Sequence, residues 1–308
     1  MAGTAALPAA PLICRAQQTD INWSSSFLAT NLDSEGAPLD NSFSFFLGVF
    51  DPQDPSWTPQ STNTAEWAHY WITADVAHYD PVVNSRFASG YNLEPLVEGI
   101  NLTGKKGYIW GVNRTTPGEW ILISGATWTW PADEGIAFPR SWTVNTGTAV
   151  LGTINESGVH MRTARVTNGL PPLLRPGMWR RLHFTQHELD NQETTVSGWL
   201  ADPNRDGHTN LEHYALGTNP HTPNGDALRA SGRIDGHGAD FLTLRVSHDP
   251  NCDAVITAEV STDLETWLSG PADIVIEHPA PSLLVLRDTN PIGSGHLRRF
   301  LRLRVSLP

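Results

Sequence analysis

Between residues 20 and 166 the chain runs as short apolar stretches broken by Gly, Pro, Asn and Asp. No part of it keeps an apolar 3.6-residue period for three turns, which removes any long amphipathic helix from this half. Residues 43–50, 108–112, 120–123 and 149–154 are rich in aromatic and β-branched side chains and bounded by turn formers, the mark of strands. Residues 65–72 are the best candidate for a turn or two of helix. From Phe241 the pattern recurs: residues 241–246 and 301–307 alternate strictly, and 258–261 and 283–287 supply further strands. In 301–307 the alternation turns Leu301, Leu303, Val305 and Leu307 inward and Arg302 and Arg304 to solvent. The expected fold class is all-β, with two β-sandwich domains joined by a short helical connector.

Composition narrows the function classes. With 20 Lys+Arg against 32 Asp+Glu the net charge is -12. This argues against nucleic acid, whose phosphates call for clustered cations. No apolar run approaches the roughly 18 residues that span a bilayer, so no transmembrane segment is expected. Two Cys cannot make a disulfide scaffold, and no Cys/His spacing suggests structural zinc. Residues 1–18 combine a short apolar stretch with Cys14-Arg15-Ala16. They read as a signal remnant or a disordered leader, and cleavage after Ala16 would leave Cys252 as the sole thiol. The expected location is secreted or cell surface.

The domains expected are 19–167, a Trp-rich β-sandwich; 168–227, a linker with short helices; and 228–308, a small β-sandwich. Residues 168–177, with their Pro and Gly, are expected to hold no regular structure. Thr185-x-x-Glu188 and Thr209-x-x-Glu212 both have the form of a capping box, in which hydroxyl and carboxylate satisfy the orphan amides of a first helical turn. They predict a helix over 186–191 and another after Thr209 that stops at Gly217.

One motif carries specific chemistry. Asp202-Pro-Asn204-Arg-Asp206-Gly207-His208-Thr-Asn210 places oxygen donors at positions 1, 3, 5 and 9 of a calcium loop, with Gly at 6 and the His208 carbonyl at 7. Position 12, where a bidentate Glu belongs, is His213, and Glu212 stands one residue early. A helical residue rotates a side chain by about 100°, so Glu212 is no simple substitute, and neutral imidazole suits Ca²⁺ poorly. The expected ligands are Asp202, Asn204, Asp206, His208, Asn210 and Glu212, with Asn219, Asn224 or Asp226 as substitutes folding back. A degenerate loop held by Asx turns is the alternative.

The run from Trp179-Arg-Arg-Leu-His-Phe184 through Asp202-Pro-Asn-Arg-Asp-Gly207 to Tyr214-Ala-Leu-Gly-Thr-Asn-Pro220 resembles a C-terminal region of secreted and surface proteins of Gram-negative environmental bacteria. Glu259-Val-Ser-Thr-Asp263-Leu-Glu-Thr-Trp267 and Arg299-Phe-Leu-Arg-Leu-Arg304 extend that likeness over roughly the last 130 residues. The region joins a thrombospondin type 3-like, or dockerin-like, calcium loop to a terminal β-domain. The resemblance implies an extracellular, calcium-stabilised accessory module without assigned catalysis. It holds a single loop where a dockerin has two. The N-terminal part is similar to uncharacterised β-domains that precede such tails.

Trp67, Trp71, Trp128 and Trp130 are the candidate glycan contacts, the first pair on a helical face and the second on a strand face; burial in a charge-poor core is the competing role. His183 and His187 stand four apart but lack the glutamate of a zinc protease motif. Neither GxSxG nor GxGxxG occurs. The function expected is a structural or adhesive surface protein with calcium stiffening its connector and no catalysis, its partners being surface polysaccharide or other surface proteins. The rivals are a carbohydrate-binding protein using exposed Trp and a glycan hydrolase whose carboxylates converge in the fold.

Overall fold

The computed structural model describes residues 20–113, 118–132, 139–223, 228–235 (backbone only), 240–280, 282–295 and 298–308. The leader 1–18, Asn224 and Asp226 lie outside the described residues. Strands occupy 41% of the chain and helices 14%, so the expectation of a β protein holds. The chain divides into two compact units, Met1–Leu170 and Pro171–Pro308.

The first unit holds β1 (Ile21–Ser24), β2 (Asn31–Leu32), β3 (Phe43–Phe50), α1 (Trp67–Tyr70), β4 (Trp71–His78), β5 (Ala88–Tyr91) and β6 (Lys106–Asn113). It continues with β7 (Glu119–Thr129), β8 (Arg140–Thr143), β9 (Thr148–Leu151), β10 (Thr153–Glu156), β11 (Val159–Arg162) and β12 (Ala164–Arg165). A six-stranded sheet runs β12-β7-β6-β3-β4, with β9 also on β7; β5-β1-β8 and β10-β11-β2 form three-stranded sheets. Gly152, at φ 79°, breaks the expected 149–154 run into β9 and β10.

Every residue of β3 is buried, because both faces of the large sheet are covered. On one face Phe45, Leu47, Ile109, Ile121 and Ile123 share a core with Ile21 and Trp23 of β1, Tyr91 of β5 and Trp142 of β8. On the other, Phe50, Trp67, Trp71, Trp110 and Trp120 form an aromatic cluster; Trp110 meets Trp67 at 5.4 Å, Trp71 at 5.3 Å and Trp120 at 5.1 Å, all edge-on. Such edge-to-face contacts suit the ring quadrupoles. Glycine makes the tight layer feasible. A Cβ on Gly48 would stand 2.1 Å from the Ile72 carbonyl oxygen.

The second unit opens with α2 (Pro176–His183), α3 (Gln186–Asn191) and α4 (Asn210–Leu216). Regular structure therefore starts two residues earlier than the Pro/Gly content of 168–177 suggested. Pro176 sits in the first turn of α2, where its missing N–H costs nothing. Both capping boxes form as expected, at Thr185/Glu188 and Thr209/Glu212, and Gly217 ends α4 at φ 70°. The strands are β13 (Leu228–Asp235), β14 (Asp240–Ser247), β15 (Val255–Ser261), β16 (Ile274–Ala280), β17 (Leu283–Pro291) and β18 (Phe300–Ser306). They form a four-stranded sheet, β13-β14-β17-β16, and the pair β15-β18. Leu244, Val246, Leu284 and Leu286 of the first meet Ala258 and Val260 of β15, with Leu301 and Leu303 against them. The alternation in β18 holds. Its outward Arg302 and Arg304 reach across the ladder to Glu259, at 2.7 and 3.4 Å.

Candidate functional site

The loop between Ala201 and α4 is the candidate site, and neighbouring residues explain its shape. Asp202 accepts the amides of Asp206 (3.2 Å) and Gly207 (3.0 Å), winding the chain into a tight turn. Asn204 Oδ1 accepts the same Asp206 amide at 3.0 Å, and Asp206 Oδ1 accepts the His208 amide at 2.9 Å. Arg205 and Gly207 take positive φ, 59° and 89°, so the turn needs left-handed backbone at both positions. Asp202 Oδ1 and Asn204 Oδ1 thus converge on one amide, and Asp206 Oδ2 lies 3.1 Å from Asn204 Nδ2. Alternate residues of the loop point inward together.

The side chains of Asn210, Glu212 and Asn219 have other engagements. Asn210 is fully buried and turned away: its Nδ2 donates to the carbonyls of Val196 (2.7 Å) and Gly198 (2.8 Å). Glu212 is spent on its capping box, accepting the Thr209 amide at 2.7 Å and the Thr209 hydroxyl at 3.0 Å. The His208 ring leans toward Glu212, its Nδ1 3.9 Å from Oε2. Asn219 folds on itself, accepting the His221 amide at 2.8 Å. Local helix capping thus engages Glu212 Oε2, and anchoring of α4 engages the Asn210 amide nitrogen, while Asn210 Oδ1 is buried with no hydrogen-bond partner.

Position 12 is the residue that motif reasoning undervalued. His213 is fully buried, and its Nε2 lies 3.3 Å from Asn204 Nδ2 and 3.6 Å from Asp206 Oδ1. Nδ1 lies 2.6 Å from Thr218 Oγ1, while the Asn204 amide that Nε2 faces also reaches Asp206 Oδ2 at 3.1 Å and the Thr222 carbonyl at 3.0 Å. Burial pushes the imidazole pKa down, while Asp206 pulls the other way and loses. A neutral ring therefore closes the loop where a carboxylate was expected. The helix that follows is anchored by its neighbours. Tyr214 donates to the Leu174 carbonyl at 2.8 Å and bonds Asp253, and Leu216 joins the core of the second unit. Burial and the Asp253 carboxylate push the Tyr214 phenol far up.

Among the described residues no group of three or more His, Cys, Asp and Glu could hold a metal ion. The donors of the loop fit a hard cation in part. Asp202, Asn204 and Asp206 offer side-chain oxygens in one place, yet a bidentate carboxylate is missing, so the six to eight oxygens that Ca²⁺ prefers are not assembled from side chains.

The tryptophan expectation is corrected by burial. Trp67, Trp71, Trp128 and Trp130 are all buried. Trp71 begins β4 instead of continuing the helix, so it does not share a helical face with Trp67. Trp128 and Trp130 share an inward face as expected, and both pack on Trp142, at 5.7 and 5.3 Å. They line a core and offer no exposed stacking platform. His183 ends α2 while His187 lies in α3, so their four-residue spacing does not fall on one helix. Cys252 is free, its thiol raised by burial to about 11. No helix among the described residues is long and apolar enough to cross a membrane. No family model, curated protein or solved structure matches the chain.

Proposed function

We propose that the chain is a structural or adhesive protein of the secreted or cell-surface kind, built as two β-sandwich units. In this reading the loop at 202–213 is a weak calcium site that stiffens the second unit. The supporting observation is the convergence of Asp202 Oδ1 and Asn204 Oδ1 on the Asp206 amide, with the Asp206 carboxylate beside them. That is the arrangement in which alternate loop residues present oxygens to a hard cation. With His213 in place of the closing carboxylate, the expected affinity is sub-millimolar to millimolar, the range of extracellular modules. Binding energy acts on the docking of α4, because that helix leaves the loop directly and carries Tyr214 and Leu216 inward. Surface proteins or surface polysaccharide are the partners that this reading implies, and no catalytic step forms part of it.

A second reading has its own support. The contacts of the His213 ring with the Asn204 amide and the Thr218 hydroxyl tie the loop to α4 and to the turn after it without a cation, as a metal-free clasp would. Thermal unfolding of the full chain, in chelator and in millimolar calcium, separates the two. An upward shift with calcium supports the site. Identical transitions across the millimolar range refute it and leave the clasp.

A further inference from the structure

We infer that the first unit carries a lipid-contacting tip, formed by the turn after β1 and the turn between β4 and β5, which enters the interfacial region of a membrane. Phe27 and Leu28 on the first turn are 57% and 66% exposed, and Val82 and Val83 on the second are 88% and 67% exposed. The turns are zipped side by side: Leu28 donates its amide to the Asn84 carbonyl at 2.9 Å, and Ser25 donates to the Phe87 carbonyl at 3.1 Å. Four large apolar side chains therefore stand together in solvent, in a unit whose other described aromatic residues are all buried or half-buried.

The local structure holds them there. The Asp80 carboxylate turns inward and accepts the amides of Val82 and Val83, both at 3.0 Å, and the Asn84 side chain at 3.4 Å. Asp80 and Arg86 exchange both backbone bonds, at 2.9 and 3.1 Å, which closes the base of the turn. Leu28 and Ser85 adopt left-handed backbone, φ 51° and 48°, an uncommon state for residues with a Cβ. A chain selected only for solubility would put Gly or Asn at Leu28 and polar residues at the tips.

Charge and area choose the occupant. The chain carries a net charge of -12, yet the only acid on either turn is Asp80, whose carboxylate is engaged, and the remaining polar residues are Ser, Thr and Asn. The one cation, Arg86, lies over the Phe27 ring at 5.5 Å. An apolar tip whose one acid and one cation balance suits the zwitterionic interface of a bilayer, which takes up Phe, Leu and Val without shape complementarity. Four side chains present only a few hundred Å², against the roughly 800 Å² per partner of a stable protein interface. This inference is independent of the calcium reading, which concerns the other unit.

The test is co-sedimentation of the full chain with phosphatidylcholine vesicles. The wild type should partition onto them with little dependence on salt, and added phosphatidylserine should weaken binding because the chain is acidic. The double substitution Val82→Ser with Val83→Ser should lower the partition coefficient at least about tenfold. Leu28→Asn, which keeps a residue tolerant of left-handed backbone, should lower it as well, and neither variant should change the melting temperature. Failure of the wild type to bind, or equal binding by both variants, overturns the tip. So does a concentration-dependent dimer that the same substitutions abolish, which would assign the patch to a second copy of the chain.

Discussion

His213→Glu is the sharpest test of the candidate site, because it restores the closing carboxylate at the residue already facing the cluster. In chelator the new carboxylate would stand where Nε2 now lies, 3.6 Å from Asp206 Oδ1. At an effective dielectric of about 20, two like charges at that range repel by about 4–5 kcal/mol. The side chain can escape only by taking a proton. Doing so at pH 7 from an ordinary Glu pKa costs about 4 kcal/mol, which caps the penalty near the same figure. For a unit of this size the loss corresponds to a fall in melting temperature of roughly 10–20 °C. Calcium should reverse much of it, since cation at about 100 times its Kd returns about 2.7 kcal/mol. Calorimetry of the variant in chelator and through a calcium series is the assay. A variant that melts like the wild type in chelator would mean that residue 213 does not face the carboxylates. A destabilised variant that calcium fails to rescue would mean that the loop cannot bind the ion even with its closing ligand.

Arg299→Ala should cost the second unit about 3–5 kcal/mol, because Arg299 holds the fully buried Asp288 through bonds of 2.7 and 2.6 Å; an unchanged chemical denaturation midpoint would contradict this. Burial alone would raise the Asp288 pKa, but the bonds from Arg299 and Asn290 outweigh it and hold the carboxyl below its ordinary 3.8. Its contribution is therefore present above about pH 4 and lost as pH falls through the depressed folded value, which acid titration of the second unit's unfolding should reveal. In the first unit Glu119 behaves alike: burial opposes, and bonds from Ser34, Thr163 and Arg165 win. Glu119→Ala should then flatten the acid limb of that unit below about pH 4.5 in a stability-versus-pH series. Gly48→Ala should destabilise the first unit by about 1–3 kcal/mol or more, since its methyl would meet the Ile72 carbonyl oxygen at 2.1 Å; a neutral effect on the melt would show that the β3–β4 pairing can yield. Cys252, half-buried with its pKa raised to about 11, should react slowly with iodoacetamide at pH 8 in the native chain and rapidly once unfolded.

Much of the local structure was readable from spacing. Residues 43–50 and 241–246 form strands, Thr185 and Thr209 start helices, and Gly217 stops one. The start of α2 was not, because Pro in a Pro/Gly-rich stretch reads as a breaker unless it falls at the first helical position. The loop was legible as a turn with oxygens at alternate residues, but its donor set was not. Asn210 and Glu212 fit the calcium spacing and the demands of α4 equally well, and the helix claimed them.

The sequence by itself determined the strand runs, the capped starts of α3 and α4 and the inward cluster of Asp202, Asn204 and Asp206, since each depends on groups only a few residues apart. Tertiary structure alone decided three other matters. Segments distant in the chain cover both faces of the large sheet, and that cover turned the tryptophans from a candidate platform into core. The burial of His213 made it a neutral closing group. The pairing of the turn at Leu28 with the turn at Asn84 gathered Phe27, Leu28, Val82 and Val83 into one exposed patch. Periodicity and capping report what a residue does within its own element. Exposure depends on which distant segment excludes water from it, and no local spacing carries that information.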